Sequence, residues 1–296
     1  MRVLLCLLLC GCSLKTIALR SLADALAEPG NTFARDDDPE LIRESLPLLL
    51  KIMETLHDGL NDHKNIRLAL ARGFTSYGVA FIQDDADRLS EVNVGQGKER
   101  YERSRRLCLR GYTYGLEGLE IAAPGFRADW ESSKTDAALA RLKKDDVALL
   151  YWTAAALGSA IASAKGDMKL VGRLPLVEKM MARALELDES FDEGALQEFF
   201  ITDEMVKGVG RGGGPAKAKA HYERALVLSK NKKLSPIVTY AESVLVDQQD
   251  KTNFIALLER VVKANIDEDL DHRLVNAIAQ KRARWLLSRV DELFAN

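Results

Sequence analysis

Four histidines, His57, His63, His221 and His272, are the side chains best suited to metal or acid–base chemistry in this chain of 296 residues. None stands four residues from another, the spacing that places two imidazoles on one helical face around zinc. His57 and His63 flank a turn with Asp58 and Asp62 as the nearby acids, and His221 beside Tyr222 reads as a surface residue of a helix. Gly208-Val209-Gly210-Arg211-Gly212-Gly213-Gly214-Pro215 has the glycine content of a phosphate cradle. A P-loop ends in Gly-Lys-Ser/Thr, so that lysine reaches phosphate and the hydroxyl holds magnesium. Here the glycines run into Pro215-Ala216-Lys217 with no strand before them, which predicts a flexible connector between helices. There is no Gly-x-Ser-x-Gly elbow, and Cys108, between Leu107 and Leu109, has no histidine partner and reads as a buried structural thiol. The acids Asp145-Asp146 and Asp267 to Asp271 stand where helices begin, where capping and the helix dipole account for them. The sequence therefore predicts no catalytic residue, no metal and no cofactor. One stripe keeps two readings open. Asn276, Gln280 and Arg284 are four apart, opposite Ile278, Trp285, Leu286 and Val290. It faces either a water-filled groove or anionic ligand, or bulk solvent.

The elements that carry these residues are helical. Ala, Leu, Glu, Lys and Arg dominate, prolines number 7, and no segment sustains the period-two alternation of a strand. The formal net charge is −2, which leaves no general electrostatic footprint for nucleic acid. Residues 13–37 read as a tether, with Pro29-Gly30-Asn31 and then Asp36-Asp37-Asp38. The aspartates lack the glycine and distal glutamate of a calcium loop, so Asp38 is expected to cap a helix whose first residue is Pro39. Leu41, Ile42, Leu46, Leu49, Leu50 and Met53 follow at helical spacing, and Pro47 is expected to kink or restart that helix. His57-Asp58-Gly59 ends it, Asp62 opens the next, and Gly95-Gln96-Gly97 is expected to break the chain again. Pro124-Gly125 closes the helix holding Tyr101, Tyr112 and Leu119. Asp145 or Asp146 caps the apolar helix with Tyr151, Trp152 and Ile161, and Pro175, Pro215 and Pro236 each mark a new start.

An internal echo suggests repeats. Ala182-Arg183-Ala184-Leu185-Glu186-Leu187-Asp188 is matched by Glu223-Arg224-Ala225-Leu226-Val227-Leu228-Ser229 and, less fully, by Glu259-Arg260-Val261-Val262. The spacings, 41 and 36 residues, exceed the tetratricopeptide period of about 34, as imperfect repeats with lengthened loops would. Small residues such as Ala218 and Ala225 around Tyr222 let paired helices approach, and one hairpin alone cannot bury its apolar face. The expected fold is all-α, a tetratricopeptide-like, α-solenoid-like stack of helical hairpins.

At the start of the chain, Met1-Arg2 precedes a short apolar run from Val3 to Leu9, the pattern of a secretory signal. The run is too short to span a bilayer, which takes about 20 residues. Leu9-Cys10-Gly11-Cys12 resembles the lipobox of bacterial lipoproteins. That resemblance implies cleavage after Gly11, acylation of Cys12, and, with Ser13 following, an outer-membrane address. The expected organisation is a signal peptide over 1–11, a lipidated N-terminus and tether over 12–37, and an all-α domain over 38–296.

Four further stretches, in this order and spacing, carry a family resemblance. They are Asp38-Pro39-Glu40-Leu41 through Pro47-Leu48-Leu49; Ala71-Arg72-Gly73-Phe74-Thr75-Ser76-Tyr77; Leu174-Pro175 through Arg183-Ala184-Leu185-Glu186-Leu187-Asp188 and Gly194-Ala195; and Asn276-Ala277-Ile278-Ala279-Gln280-Lys281-Arg282-Ala283-Arg284-Trp285-Leu286-Leu287. From about Asp38 to Phe294 the chain resembles the TatT family, the T component of tripartite ATP-independent periplasmic (TRAP) transporters. The resemblance implies a periplasmic, lipid-anchored, non-enzymatic homotrimer that associates with the transporter's solute-binding protein. It also implies a cleft or pore that accepts a small organic acid or a ligand with an apolar body. Tyr77, Arg110, Tyr114, Trp152, Phe199, Gln280 and Arg284 are the side chains expected to line such a groove or meet a partner, with core packing or surface solvation as the alternative role of each. The competing function is a generic tetratricopeptide envelope lipoprotein that scaffolds other proteins.

Overall fold

A computed structural model describes residues 16–27, 31–132, 134–164 and 166–294; the signal and lipidation segment lies outside the described residues. The fold is all-α, with packed helical pairs and no strand among the described residues. Among the described residues the chain divides into two units, one lying within residues 1–30 and 43–183, the other within 31–42 and 184–296.

Helix α1, Pro39–Asp58, begins as its sequence requires. Asp38 Oδ1 accepts from the backbone N–H groups of Glu40 and Leu41 at 2.9 and 3.1 Å, and Pro39 takes the first helical position. The helix does not restart at Pro47 but runs through it. Leu50, Met53 and Leu56 bury its inner face, and that packing outweighs the one backbone bond a proline cannot make. Residues 16–27, expected as part of a tether, are helical, with Ala23 buried and Asp24 3.1 Å from His63 Nε2.

The cap of α2, Lys64–Tyr77, is His63 rather than Asp62: its Nδ1 accepts from Ile66 N–H at 3.1 Å, while Asp62 pairs with Arg20. Beyond α2 the helix continues through a π-helical turn, Gly78–Gln83, into Asp84–Val92. The chain then breaks at Asn93, not at Gly95-Gln96-Gly97. Asn93 is extended and its Oδ1 accepts from Gln96 N–H at 3.1 Å, so the glycines fall inside the first turn of α3, Val94–Ala122. Gly97 is needed there for close approach, since a Cβ on it would lie 2.1 Å from Ser90 Oγ.

Helix α3 is the rod of the first unit. It runs back along α2, with Gly111 against Ala71 and Thr75, and Gly78 against Ser104 and Cys108. On its other side lies α4, Val147–Ala162, whose Leu149, Leu150, Ala154, Ala156, Leu157 and Ala160 are all buried. Cys108 is fully buried, and burial pushes its thiol up to about 12. Helix α5, Leu174–Leu187, completes this unit and enters the second.

In the second unit α6, Ala195–Lys207, pairs with α7, Pro215–Leu228, and α8, Lys251–Lys263, pairs with α9, Arg273–Leu287. Between the pairs, Ser235–Tyr240 passes into a second π-helical turn, Ala241–Leu245. Ile201, Tyr222, Ile237, Val244, Phe254, Leu258, Ala283 and Leu286 belong to one core. The repeat echoes fall in α5, α7 and α8. Prolines 175, 215 and 236 each lie in the first two residues of a helix. The glycine-rich segment connects α6 to α7 as a short 3-10 turn, tied to the Glu204 carbonyl by Gly208 and Gly214 N–H. Ahead of α6 the backbone takes positive φ at Asp192, Glu193 and Gly194. Lys233 Nζ donates to the Asp192 carbonyl at 2.5 Å and His272 Nε2 lies 2.9 Å from Glu193, which hold that strained turn in place.

Candidate functional site

The amphipathic pattern of α1 leaves one carboxylate on its inward side. Glu54 is buried between Met53 and Leu56, and a lone buried carboxylate is costly unless cations and hydroxyls meet it. The partners come from α3, where Arg110, Tyr114 and Glu117 stand at positions i, i+4 and i+7, one face of the helix. Tyr114 donates its hydroxyl to Glu54 Oε1 at 2.7 Å, Arg110 makes an ion pair with the same oxygen, and Lys51 Nζ donates to Oε2 at 2.6 Å.

An aromatic wall completes the cluster. Phe74 of α2 stacks on Tyr114 with centroids 5.9 Å apart, and the Arg110 guanidinium lies 5.0 Å from the Phe74 ring centre. His57 meets Tyr114 edge-on at 5.0 Å and its Nε2 lies 2.8 Å from Glu117 Oε2. The buried Arg67 adds a cation 3.4 Å from the same carboxylate and donates to the carbonyls of Leu60 and His63. Burial pushes the Tyr114 phenol up to about 12, with the Glu54 hydrogen bond acting in the same direction. Tyr114 is therefore a permanent donor at neutral pH. Lys51 and Arg110 are exposed and both pair with Glu54, so the rim of the cluster is charged and its inner wall aromatic. That combination suits the half-wet recognition of a polar partner with an apolar body.

Arg110 and Tyr114, chosen from sequence, are thus brought together. Tyr77 and Trp152 occupy other places in the same unit. Tyr77, at the end of α2, is buried against Phe81 at 5.8 Å, with Arg103 6.0 Å from its ring centre. Trp152 is half-buried on α4, edge-on to Tyr151 at 5.2 Å.

In the second unit Phe199 lies edge-on to Phe200, which stacks on His221 at 5.2 Å. His221 is half-buried rather than a plain surface residue, and its Nδ1 lies 2.6 Å from Gln197 Oε1. Beside Phe199, Glu198 accepts from Ser235 and Thr239 hydroxyls at 2.8 and 3.0 Å, and burial raises its carboxyl above the ordinary range. Gln280 of α9 donates Nε2 to the carbonyls of Val261, Val262 and Ala264 at 3.1, 3.3 and 2.8 Å, closing the end of α8. Asn276 accepts from Leu234 N–H at 2.9 Å and donates to the Lys232 carbonyl. The amides of the polar stripe therefore bind backbone, and Arg284 alone of the three is exposed, donating to Gln280 Oε1 at 3.3 Å.

Sequence reasoning missed Glu54, His57, Phe74 and Glu117 as members of one site. The readable signal was the pair Glu54 and His57, three residues apart on α1, complementary to Arg110, Tyr114 and Glu117 on α3. Among the described residues no group of histidine, cysteine and acidic side chains has the arrangement of a metal site.

A family model described as TRAP transporter T-component matches residues 35–294. An uncharacterized protein of Treponema pallidum (strain Nichols) is 30% identical over 306 residues, covering 98% of this chain and 95% of the relative.

Proposed function

Since the chain belongs to the TRAP transporter T-component family, we propose that it is an envelope accessory protein that docks the transporter's solute-binding protein and accepts or shields its ligand. The family match over nearly the whole helical region carries this reading. Two features support it. No described helix is long and apolar enough to cross a membrane, which fits a domain held to the envelope by a lipid on Cys12. The Glu54 cluster offers an aromatic wall edged by charges that are paired within the chain, suited to a polar partner or to a ligand with an apolar body. Tyr77, Arg110, Tyr114, Trp152, Phe199 and Arg284 remain the side chains assigned to ligand or partner contact, with Gln280 acting there only through Arg284, and the working assembly is a homotrimer.

The test is sedimentation of the purified chain, alone and mixed with a TRAP solute-binding protein from the same organism. A trimer that co-sediments with that protein is the expected result. Independent sedimentation at every salt concentration would overturn the docking role and leave a helical scaffold for other envelope proteins.

A further inference from the structure

Two donors meet at one phenolic oxygen in the first unit. Trp130, in the short helix Phe126–Glu131, donates Nε1–H to Tyr112 OH at 3.1 Å. Arg173, just ahead of α5, donates Nη2–H to the same oxygen at 2.8 Å, with its guanidinium carbon 4.9 Å from the Tyr112 ring centre. A phenol oxygen accepts through its lone pairs and donates its own proton. Both accepting directions are taken here, and among the described residues the Tyr112 O–H has no acceptor. Tyr112 is 5% exposed, and an unsatisfied donor in such a place calls for a partner. Burial raises the phenol above its ordinary value even against the pull of Arg173, so the proton stays on the oxygen at neutral pH.

Arg173 is incomplete in the complementary way. Neighbouring guanidiniums are neutralised within the unit: Arg105 by Glu102, Arg127 by Glu131 and Arg141 by Asp129. Arg173 is half-buried and has no carboxylate within ion-pair distance among the described residues. Its Nε and Nη1 hydrogens are left for something outside the chain. Phe126, stacked on Trp130 at 5.6 Å, fixes the indole and so fixes the phenol. An orphan O–H and an uncompensated cation therefore share one rigid point.

We propose that Arg173 and Tyr112, braced by Trp130, form a seat for one carboxylate of a small organic acid. A planar carboxylate presents two oxygens to the guanidinium edge, and the phenol proton reaches one of them. Its single charge matches the single unpaired cation, whereas a phosphate dianion would stay half neutralised. The seat is separate from the Glu54 cluster, where Arg110 already has its carboxylate. It goes beyond the docking role and does not depend on it, because the ligand is held by this chain alone.

The full chain, labelled with nitrogen-15, is titrated with sodium benzoate, sodium phosphate or sodium chloride at constant ionic strength. The three tryptophan indole N–H resonances are followed and assigned by Trp→Phe replacement. The expected result is a saturable shift of the Trp130 resonance with benzoate and none with chloride. Arg173→Gln should weaken benzoate binding at least tenfold, Arg173→Lys less than Arg173→Gln, and Tyr112→Phe several-fold, each with an unchanged far-UV spectrum. If Arg173→Gln fails to fold, Arg173→Lys and Tyr112→Phe carry the comparison. No saturable shift with benzoate, as when a water fills the seat, would overturn the proposal. So would a phosphate response stronger than the benzoate one, or unchanged benzoate affinity in the folded variants.

Discussion

Gly115→Ala tests whether the first unit is held by close crossing of α3 and α4. A Cβ at position 115 would lie 2.2 Å from Thr153 Oγ1, 2.9 Å from its Cβ and 3.1 Å from its Cα. Thr153 is fully buried and its hydroxyl donates to the Leu149 carbonyl at 2.6 Å. Turning the hydroxyl relieves the first contact and sacrifices that bond. The other two contacts do not depend on the rotamer. Carbon pairs prefer about 3.5–4.0 Å, so the helices must part by roughly half an ångström. Overpacking of this kind costs about 1–3 kcal/mol, and the upper half of that range applies when the obstacle is backbone. Alanine returns about 1 kcal/mol through helix propensity. The expected net loss is therefore about 1–2 kcal/mol. Gly95→Ala is the control, because its new Cβ meets only Asn93 Oδ1, at 3.4 Å. Urea unfolding is followed by circular dichroism and by tryptophan emission in a Trp285→Phe background, which leaves Trp130 and Trp152 as reporters of the first unit. A Gly115→Ala protein as stable as its parent would refute the close-crossing argument.

Glu54→Gln should bring the Tyr114 phenol down from about 12, because the raising hydrogen bond to a carboxylate is lost; ultraviolet difference titration reads the change. In the parent the same raised phenol contributes stability below pH 10 that fades as pH climbs towards 12, so alkaline unfolding should begin earlier than in Tyr114→Phe. Glu198 has a carboxyl raised by burial, so its protonated form favours the fold and its contribution is lost as pH rises through the folded-state value. Thermal melts of Glu198→Gln against the parent should show a gap in favour of the variant at pH 8 that closes or reverses near pH 4; a pH-independent gap would refute this. Gln280→Ala should cost about 1–3 kcal/mol by stripping donors from buried carbonyls at the end of α8, with faster amide exchange around Ala264 as the local sign. Cys108, with a thiol near 12, should resist iodoacetamide at pH 8 in the folded chain and react once urea unfolds the first unit, as peptide mass mapping would show.

What was legible in the sequence was local. Capping by Asp38, helix starts at Pro175, Pro215 and Pro236, and burial of Cys108 depend on a residue and its near neighbours. The errors were local contests decided by tertiary contacts. At Asn93 a side-chain cap and the tight Ser90–Gly97 approach moved the break two residues upstream. At Pro47 buried leucines on the same helix outweighed the missing donor, so the helix ran on instead of restarting. The two π-helical turns left no period to read, since an extra residue per turn is invisible in an amphipathic pattern. The candidate site was half legible: Arg110 and Tyr114 share a face by spacing alone, but Glu54 looks like any charged residue on α1 until α3 is placed beside it.

That placement follows from one helix serving three neighbours. On α3, Gly111, Gly115 and Gly118 face α2 and α4 and set how closely those helices approach. Arg110 and Tyr114 point to α1, and Tyr112 points to the helix bearing Trp130. The residues at 110, 112 and 114 therefore owe their directions to a backbone whose rotation is fixed by the glycines between and beyond them. A rotation of α3 that eased any one glycine contact would turn Tyr114 off Glu54 and Tyr112 off Trp130 together. The two polar clusters are consequently coupled through a rigid rod and not through a shared side chain. A packing change at Gly115 should disturb both, whereas Glu54→Gln should leave the indole resonance of Trp130 where it is.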